Sequence, residues 1–119
     1  MKKNFPVTRI YSDAEGETHF EDISIAMDNA GDIGSLSAAI PAKSIIFRET
    51  EPGYDYDFHC APQKQYIILV DAGVEIETSL GDIRVFKAGD ILLVEDTTGK
   101  GHRSKHTEMK TRRSVFITI

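Results

Sequence analysis

The sequence has a single cysteine, Cys60, among its 119 residues. One thiol cannot form an intramolecular disulfide, so the chain is not a disulfide-stapled miniprotein and needs no oxidising compartment. Long apolar runs are also absent, because stretches such as 67–70 are far shorter than the roughly 20 residues of a membrane span. No apolar segment follows the charged N-terminus, so we expect no signal peptide, no membrane partner and a cytoplasmic location.

The signatures of several enzyme classes are missing as well. The sequence contains no phosphate-binding Gly-x-x-x-x-Gly-Lys-Ser/Thr, no dinucleotide fingerprint, no Gly-x-Ser-x-Gly and no Cys-x-x-Cys. The phosphate-binding motifs also need a helix N-terminus, and the sequence shows no convincing long helix. We therefore set aside nucleotide-binding, serine-hydrolase and dithiol redox chemistry that depends on these motifs.

What is present fits one ordinary globular domain. The chain is 40% hydrophobic and 28% charged, and its length suits a single domain over residues 1–119. The net charge of -5 is unevenly distributed, since residues 99–119 carry six basic residues and one acidic residue. These basic residues alternate with Ser, Thr and His and have no aromatic stacking partners, so we expect solvated strands that neutralise an acidic body, and no nucleic-acid partner.

Short apolar segments separated by glycine and proline predict an all-β fold. Several segments alternate with period two, and segment 65–71 is nearly continuously apolar, as expected of a strand buried on both faces. Strands at intervals of roughly 8 to 12 residues, without a long helix, are typical of a β-sandwich or barrel. Segment 27–42 is rich in Gly, Ala and Ser and predicts a long loop with one helical turn around 35–39.

Two of the four histidines, His59 and His102, lie beside a turn and a strand. Small β-barrels keep ligand-facing side chains at such positions. In an extended strand, His59 and Ala61 would face one side and Cys60 the other. Gln65 begins the most apolar strand, so its amide needs a hydrogen-bond partner or a cavity.

The spacing around these residues matches a known pattern. Gly53 is followed after five residues by His59, then by Ala61 after one, Gln65 after three and Ala72 after six. This spacing resembles the first motif of the cupin family, which runs Gly, His-x-His, Glu and Gly. Segment 53–72 would therefore be motif 1.

A second segment, 89–102, resembles the second cupin motif. It begins with Gly-Asp, continues through an apolar strand and ends with a glycine-containing turn and His102. A hairpin at 74–86 separates the two motifs. The resemblance implies that residues 1–119 form a single cupin-type jelly-roll β-barrel, and that the protein is a homodimer joined through edge strands.

The sequence departs from the family at the metal ligands. Cupin metal sites resemble three histidines and one glutamate around a divalent iron, manganese, nickel or zinc ion. Here two of those histidines are kept as His59 and His102, whereas Ala61 replaces the other histidine and Gln65 replaces the carboxylate. His59, Gln65 and His102 could still form a three-point open site, although a neutral amide is a weak ligand. The alternative is a metal-free pocket in which the same three residues hydrogen-bond a polar ligand.

Several neighbouring residues have alternative roles by sequence. His106 would share a face with His102 as a further ligand, or else be exposed to solvent, and exposure is the more common outcome for a histidine in a basic segment. Glu95 and Asp96 are either a general base or a late ligand, or ordinary turn residues. The remaining candidates for the pocket or its rim are His19, Tyr54, Tyr56 and Phe58.

The function that these observations predict is binding of a small polar or anionic molecule inside the barrel, by His59, Gln65, His102 and Tyr56. The resemblance leaves open whether metal-assisted chemistry accompanies binding. The alternative is a metal-free sensor or binding module without catalysis. Because His102 begins the basic segment, we expect the nearby positive charge to favour anions.

Overall fold

The computed structural model describes residues 3–119, which form eleven strands and one short 3-10 turn. In chain order the strands are β1 (Lys3–Ser12), β2 (Thr18–Asn29), β3 (Ser35–Ser37), β4 (Ser44–Thr50), β5 (Asp55–His59), β6 (Gln65–Leu69), β7 (Val74–Glu77), β8 (Ile83–Phe86), β9 (Ile91–Val94), β10 (His102–His106) and β11 (Arg112–Thr118). No helix among these residues is long and apolar enough to span a bilayer.

The strands form two sheets. The large sheet has seven strands in the order β3-β2-β1-β9-β6-β11-β4, and the small sheet has four in the order β5-β10-β7-β8. Neighbouring strands are antiparallel apart from β1 and β9, which pair in parallel. The all-β class predicted from the sequence is therefore confirmed.

The apolar core lies between the two sheets. Alternation along each strand sends every second side chain inward, so the large sheet contributes residues from β1, β6 and β9 and the small sheet from β7 and β8. The buried apolar residues of this core are Ile10, Ala61, Leu69, Val74, Ile76, Phe86, Leu92 and Val94.

Strand β6 lies in the interior of the large sheet, between β9 and β11. Its inward residues Gln65, Ile67 and Leu69 face the small sheet, whereas Tyr66 and Ile68 line an apolar groove on the outer side. The sequence predicts burial on both faces, but in the described residues the outer face of this strand is only half covered.

The arrangement differs from the sequence-based expectation in two places. The pairings leave two separate sheets instead of one closed barrel, because β3, β4, β5 and β8 each have a partner strand on one side only within residues 3–119. Segment 27–42 is also not a plain loop with a helical turn at 35–39. Residues 27–29 complete β2, a 3-10 turn covers Gly31–Ile33, and Ser35–Ser37 add the edge strand β3.

Candidate functional site

The two sheets enclose a cavity of about 540 Å³ beside the apolar core. This volume is within the range of small-molecule sites in proteins. Its walls come from β4, β6, β9 and β11 of the large sheet and from β5, β7 and β10 of the small sheet. The polar side chains on the wall are Arg48, Tyr54, Tyr56, His59, Gln63, Gln65, His102, Ser104, Arg112 and Ser114.

His59 and His102 lie opposite each other on neighbouring antiparallel strands, β5 and β10. Their ring centroids are 4.7 Å apart, and both residues line the cavity. The pairing of β5 with β10 brings together two histidines that are about 40 residues apart in the sequence, as the two motifs predict. Gly101 makes this approach possible, because its φ of +74° is left-handed and a Cβ there would overlap the carbonyl of His59.

Each of the two imidazoles has its Nδ1 atom occupied. His59 Nδ1–H donates to the carbonyl of Asp57 at 2.8 Å, and His102 Nδ1–H donates to Oδ2 of Asp96 at 2.5 Å. A carbonyl only accepts, and an ionised carboxylate does the same, so these partners place the proton of the neutral ring on Nδ1. Nε2 of each ring is therefore left as a hydrogen-bond acceptor.

Asp96 is completely buried, with 0% of its surface exposed. A carboxylate in such a place needs a partner, and His102 supplies it. A carboxylate behind an imidazole fixes the orientation and tautomer of the ring. From the sequence, Asp96 is a general base, a late ligand or a turn residue. In the structure its carboxylate contacts Nδ1 of His102 and positions that ring.

Two further predicted site residues also line the cavity. Gln65 is 5% exposed, and its amide makes no side-chain hydrogen bond within residues 3–119. It therefore has hydrogen-bonding capacity to offer to a ligand. Tyr56 is half exposed and its ring lies 4.1 Å from that of His59, at the outer part of the cavity.

The donor set does not fit a resident divalent metal. Two imidazoles line the cavity, and the third predicted ligand, Gln65, is a neutral amide with little affinity for first-row ions. The nearest carboxylate, Asp96, is engaged with Nδ1 of His102. The described part of the chain contains no group of three His, Cys, Asp or Glu side chains that could hold a metal.

Other candidates lie away from the cavity. His19 Nε2 bonds Asp13 Oδ2 at 2.6 Å and stacks beside Tyr11, and Glu95 forms an ion pair with Arg9. Phe58 is exposed and is not part of the cavity wall. None of these three side chains, His19, Glu95 and Phe58, is part of the cavity wall.

His106 and Cys60 differ from their sequence-based expectations. His106 is not a freely exposed side chain: both of its ring nitrogens are buried, and the ring packs edge-on against Tyr54. Burial and the charge of Arg112 lower the pKa of His106. Cys60 lines the same cavity as His59, because β5 ends at His59 and strand alternation does not continue beyond it.

The basic C-terminal segment is largely neutralised by carboxylates. Five of its six basic residues form ion pairs, namely Lys100 with Glu17, Arg103 with Asp55, Lys105 with Glu75, Lys110 with Glu108 and Arg113 with Asp71. Four of these pairs join the segment to carboxylates of residues 1–98, as expected, whereas Lys110 pairs with Glu108 inside the segment. The sixth residue, Arg112, is buried and lines the cavity.

Sequence reasoning missed Arg48 and Arg112, the two arginines of the cavity wall. The alternation of β11 contained a usable signal, since Arg112 shares the inward face with Ser114 and Phe116. That signal was hidden because Arg112 lies among basic residues that face solvent.

The similarity of this chain to known proteins is found in the structure and not in the sequence. No family model and no curated protein matches the chain. The cupin domain of Cnp3 from Schizosaccharomyces pombe matches 99% of this chain and 84% of its own, with a TM-score of 0.51 and 10% identity. A protein of Salmonella typhimurium assigned as ethanolamine utilization protein Q matches 98% of this chain and 96% of its own, with a TM-score of 0.42 and 9% identity.

At 10% sequence identity, the match to the Cnp3 domain shows a similar fold and gives no information on activity or ligand. The Cnp3 domain extends over nearly all of this chain, including both segments that resemble cupin motifs. The protein therefore has a cupin fold.

Proposed function

We propose that this protein binds a small polar or anionic molecule in the cavity between its sheets, and that His59 and His102 hold it. The proposal rests on one observation, namely that the two imidazoles have the same hydrogen-bonding arrangement. Each has Nδ1 bound to a protein acceptor and Nε2 without a partner among the described residues, and the two ring centroids lie 4.7 Å apart on the cavity wall. Two oriented acceptors at one place are suited to a ligand that carries hydroxyl, amide or amine hydrogens.

Other polar groups complete the ligand contacts. Gln65 adds an amide with both donor and acceptor capacity, and Tyr56 covers the ring of His59 near the opening. Apolar residues of the core form much of the remaining wall, and hydrogen bonds are stronger beside such low-dielectric surroundings than in water. Binding needs no metal in this proposal, because the neutral Gln65 stands where a ligating carboxylate would be required.

Binding in this cavity is testable with a panel of small acids, sugars and amides and a thermal unfolding assay. We expect at least one compound to raise the Tm of the wild type, and His59→Ala to weaken its binding at least about tenfold, since a buried hydrogen bond is lost. His19→Ala is the matched control, because His19 lies outside the cavity.

Two outcomes would contradict the proposal. One is that no compound in the panel stabilises the wild type, and the other is that His59→Ala and His19→Ala bind equally well. Metal analysis of untagged protein provides a separate arm. A stoichiometric transition metal that His59→Ala removes would show that binding is metal-assisted, against the metal-free site proposed here.

A further inference from the structure

The cavity contains two arginines that have no carboxylate partner. The chain has six arginines, and four of them, Arg9, Arg84, Arg103 and Arg113, form ion pairs with Asp or Glu. The other two, Arg48 and Arg112, make no ion pair within residues 3–119, and both line the cavity. In a chain with 19 acidic residues, it is the two cavity arginines that lack an acidic partner.

Arg112 is the more unusual of the two because it is only 5% exposed. Its Nη1–H donates to the carbonyl of Gly73 at 3.3 Å, whereas its Nε is buried with no partner in the described chain. Burial, followed by the charge of Arg48, lowers the pKa of Arg112, although a guanidinium remains charged at neutral pH. A buried cation without a counter-charge is costly, so the site favours an anion.

The surroundings of Arg112 lack hydrogen-bond partners as well. Thr50, which faces Arg112 across β4 and β11, has a buried Oγ1 with no partner in residues 3–119. The guanidinium carbons of Arg48 and Arg112 lie 5.4 and 5.5 Å from the ring centroid of Tyr54. Tyr54 thus holds both cations at one end of the cavity by cation–π contact.

This end is separate from the histidines but within reach of the same ligand. The hydroxyl of Tyr54 bonds Ser104 Oγ at 3.0 Å, and Ser104 lies two residues beyond His102 on β10, or roughly 7 Å along the strand. Apolar side chains such as Ile67 and Leu69 line the same cavity. A molecule with an acidic group, a short apolar body and a second polar group matches this layout.

We propose that Arg112, assisted by Arg48, is the anion-binding subsite of this cavity, and that the ligand is a small organic acid whose carboxylate lies at Arg112 while its opposite end reaches His59 and His102. The inference rests on the proposed function, since it assumes that the cavity binds a small molecule. A planar guanidinium matches a carboxylate with paired hydrogen bonds and supplies the negative charge that the protein itself lacks there.

The test compares acids with amides of the same shape. 4-Hydroxybenzoate and 6-hydroxyhexanoate, each with a second polar group opposite the carboxylate, are titrated beside 4-hydroxybenzamide and 6-hydroxyhexanamide at constant ionic strength, by calorimetry and by thermal unfolding. We expect each acid to bind the wild type at least about tenfold more tightly than its amide. Arg112→Met should abolish that preference and leave the Tm of the unliganded protein unchanged or higher, since it removes an unpaired buried cation.

Arg113→Met is the matched control, because Arg113 is the next residue, faces solvent and pairs with Asp71. It should keep the preference for acids. If Arg112→Met fails to fold, Arg112→Lys serves instead, and we expect at least tenfold weaker acid binding because lysine lacks the planar fork.

Several results would overturn the inference. They are equal binding of acids and amides, an acid preference that survives Arg112→Met, no binding of any of the four probes, or tighter binding of inorganic phosphate than of either acid. Acids and amides that bind equally, and are both lost in His59→Ala, would reject the arginine subsite while leaving the proposed function intact.

Discussion

Single residues decide the chemistry of this cavity. Asp96 holds one imidazole and the carbonyl of Asp57 holds the other, while Arg112 has no acidic partner among residues 3–119. These pairings determine which polar groups of the cavity wall remain available to a ligand. The two imidazoles offer acceptors, and the guanidinium offers donors and positive charge.

The histidines also predict a pH dependence of stability. Burial lowers the pKa of His59 in the folded protein, and burial together with Arg112 lowers that of His106. The unfolded chain therefore binds more protons than the folded chain below its ordinary histidine pKa of about 6.5. The free energy of unfolding should fall as the pH drops below about 6.5, and level off once the folded histidines are protonated.

Urea denaturation between about pH 8 and pH 5 checks this expectation, and His59→Gln should lose part of the slope. The carboxylates of Asp13, Glu17 and Asp71 have pKa values lowered by hydrogen bonds from His19, Lys100 and Arg113. Their contribution is lost only below about pH 4.5, outside this window. Stability that is constant or increases from pH 8 to pH 5 would contradict the prediction.

At the scale of elements, the turn before β10 brings the two motifs together. Gly101 lies next to His102, and its backbone is close against the carbonyl of His59 at the end of β5. The carbonyl of Gly101 also accepts a hydrogen bond from Thr18 at 2.5 Å, which ties the turn to β2 of the large sheet. The distance between the imidazoles therefore depends on a residue without a side chain.

Gly101→Ala should accordingly be strongly destabilising. The substitution adds left-handed strain and a clash with backbone, so we expect a loss of at least about 3 kcal/mol in the free energy of unfolding, together with loss of ligand binding. Gly53→Ala is the matched control, because Gly53 also has a positive φ of 84° but has open space around its Cα. It should cost about 1–2 kcal/mol and preserve binding. Equal losses in the two variants, measured by urea denaturation, would show that the close approach is unimportant.

At the scale of the whole molecule, the edge strand β4 is left uncovered. It pairs with β11 on one side only, and its apolar side chains Ile45 and Phe47 are exposed, Phe47 to 76%. Exposed apolar edge strands invite pairing with another strand, which proteins normally prevent or use. We propose that a second copy of this chain covers β4 by antiparallel pairing, and so provides the homodimer that the sequence resemblance implies.

A charge at the centre of that edge tests the dimer. Phe47→Glu should convert a dimeric wild type into a monomer in size-exclusion chromatography with light scattering, because it places a carboxylate in the apolar contact. Val85→Glu is the control, since Val85 is 56% exposed on β8, an edge strand of the other sheet. A monomeric wild type at micromolar concentration, or dissociation by both variants alike, would reject β4 as the interface.

Much of the fold could be predicted from the sequence because strand periodicity is a local property. Alternating segments and turn glycines indicated an all-β chain, and the motif spacing singled out His59, Gln65 and His102, which line the same cavity. The division into two sheets could not be predicted in this way, since strand partners are chosen by packing between distant segments. The half-covered outer face of β6 has the same origin.

The chemical details of the site also depended on distant contacts. Asp96 follows a strand and reads as a turn residue, and only the folded chain brings it to Nδ1 of His102. Arg112 is one of six similar basic residues in its segment, and only the ion pairing of the other five singles it out. The sequence alone thus determined the strand content, the two motifs and the pair of histidines, because these depend on the spacing of residues along the chain. Tertiary structure alone decided which charges have partners and which are left free for a ligand, because burial and pairing are properties of the packed chain.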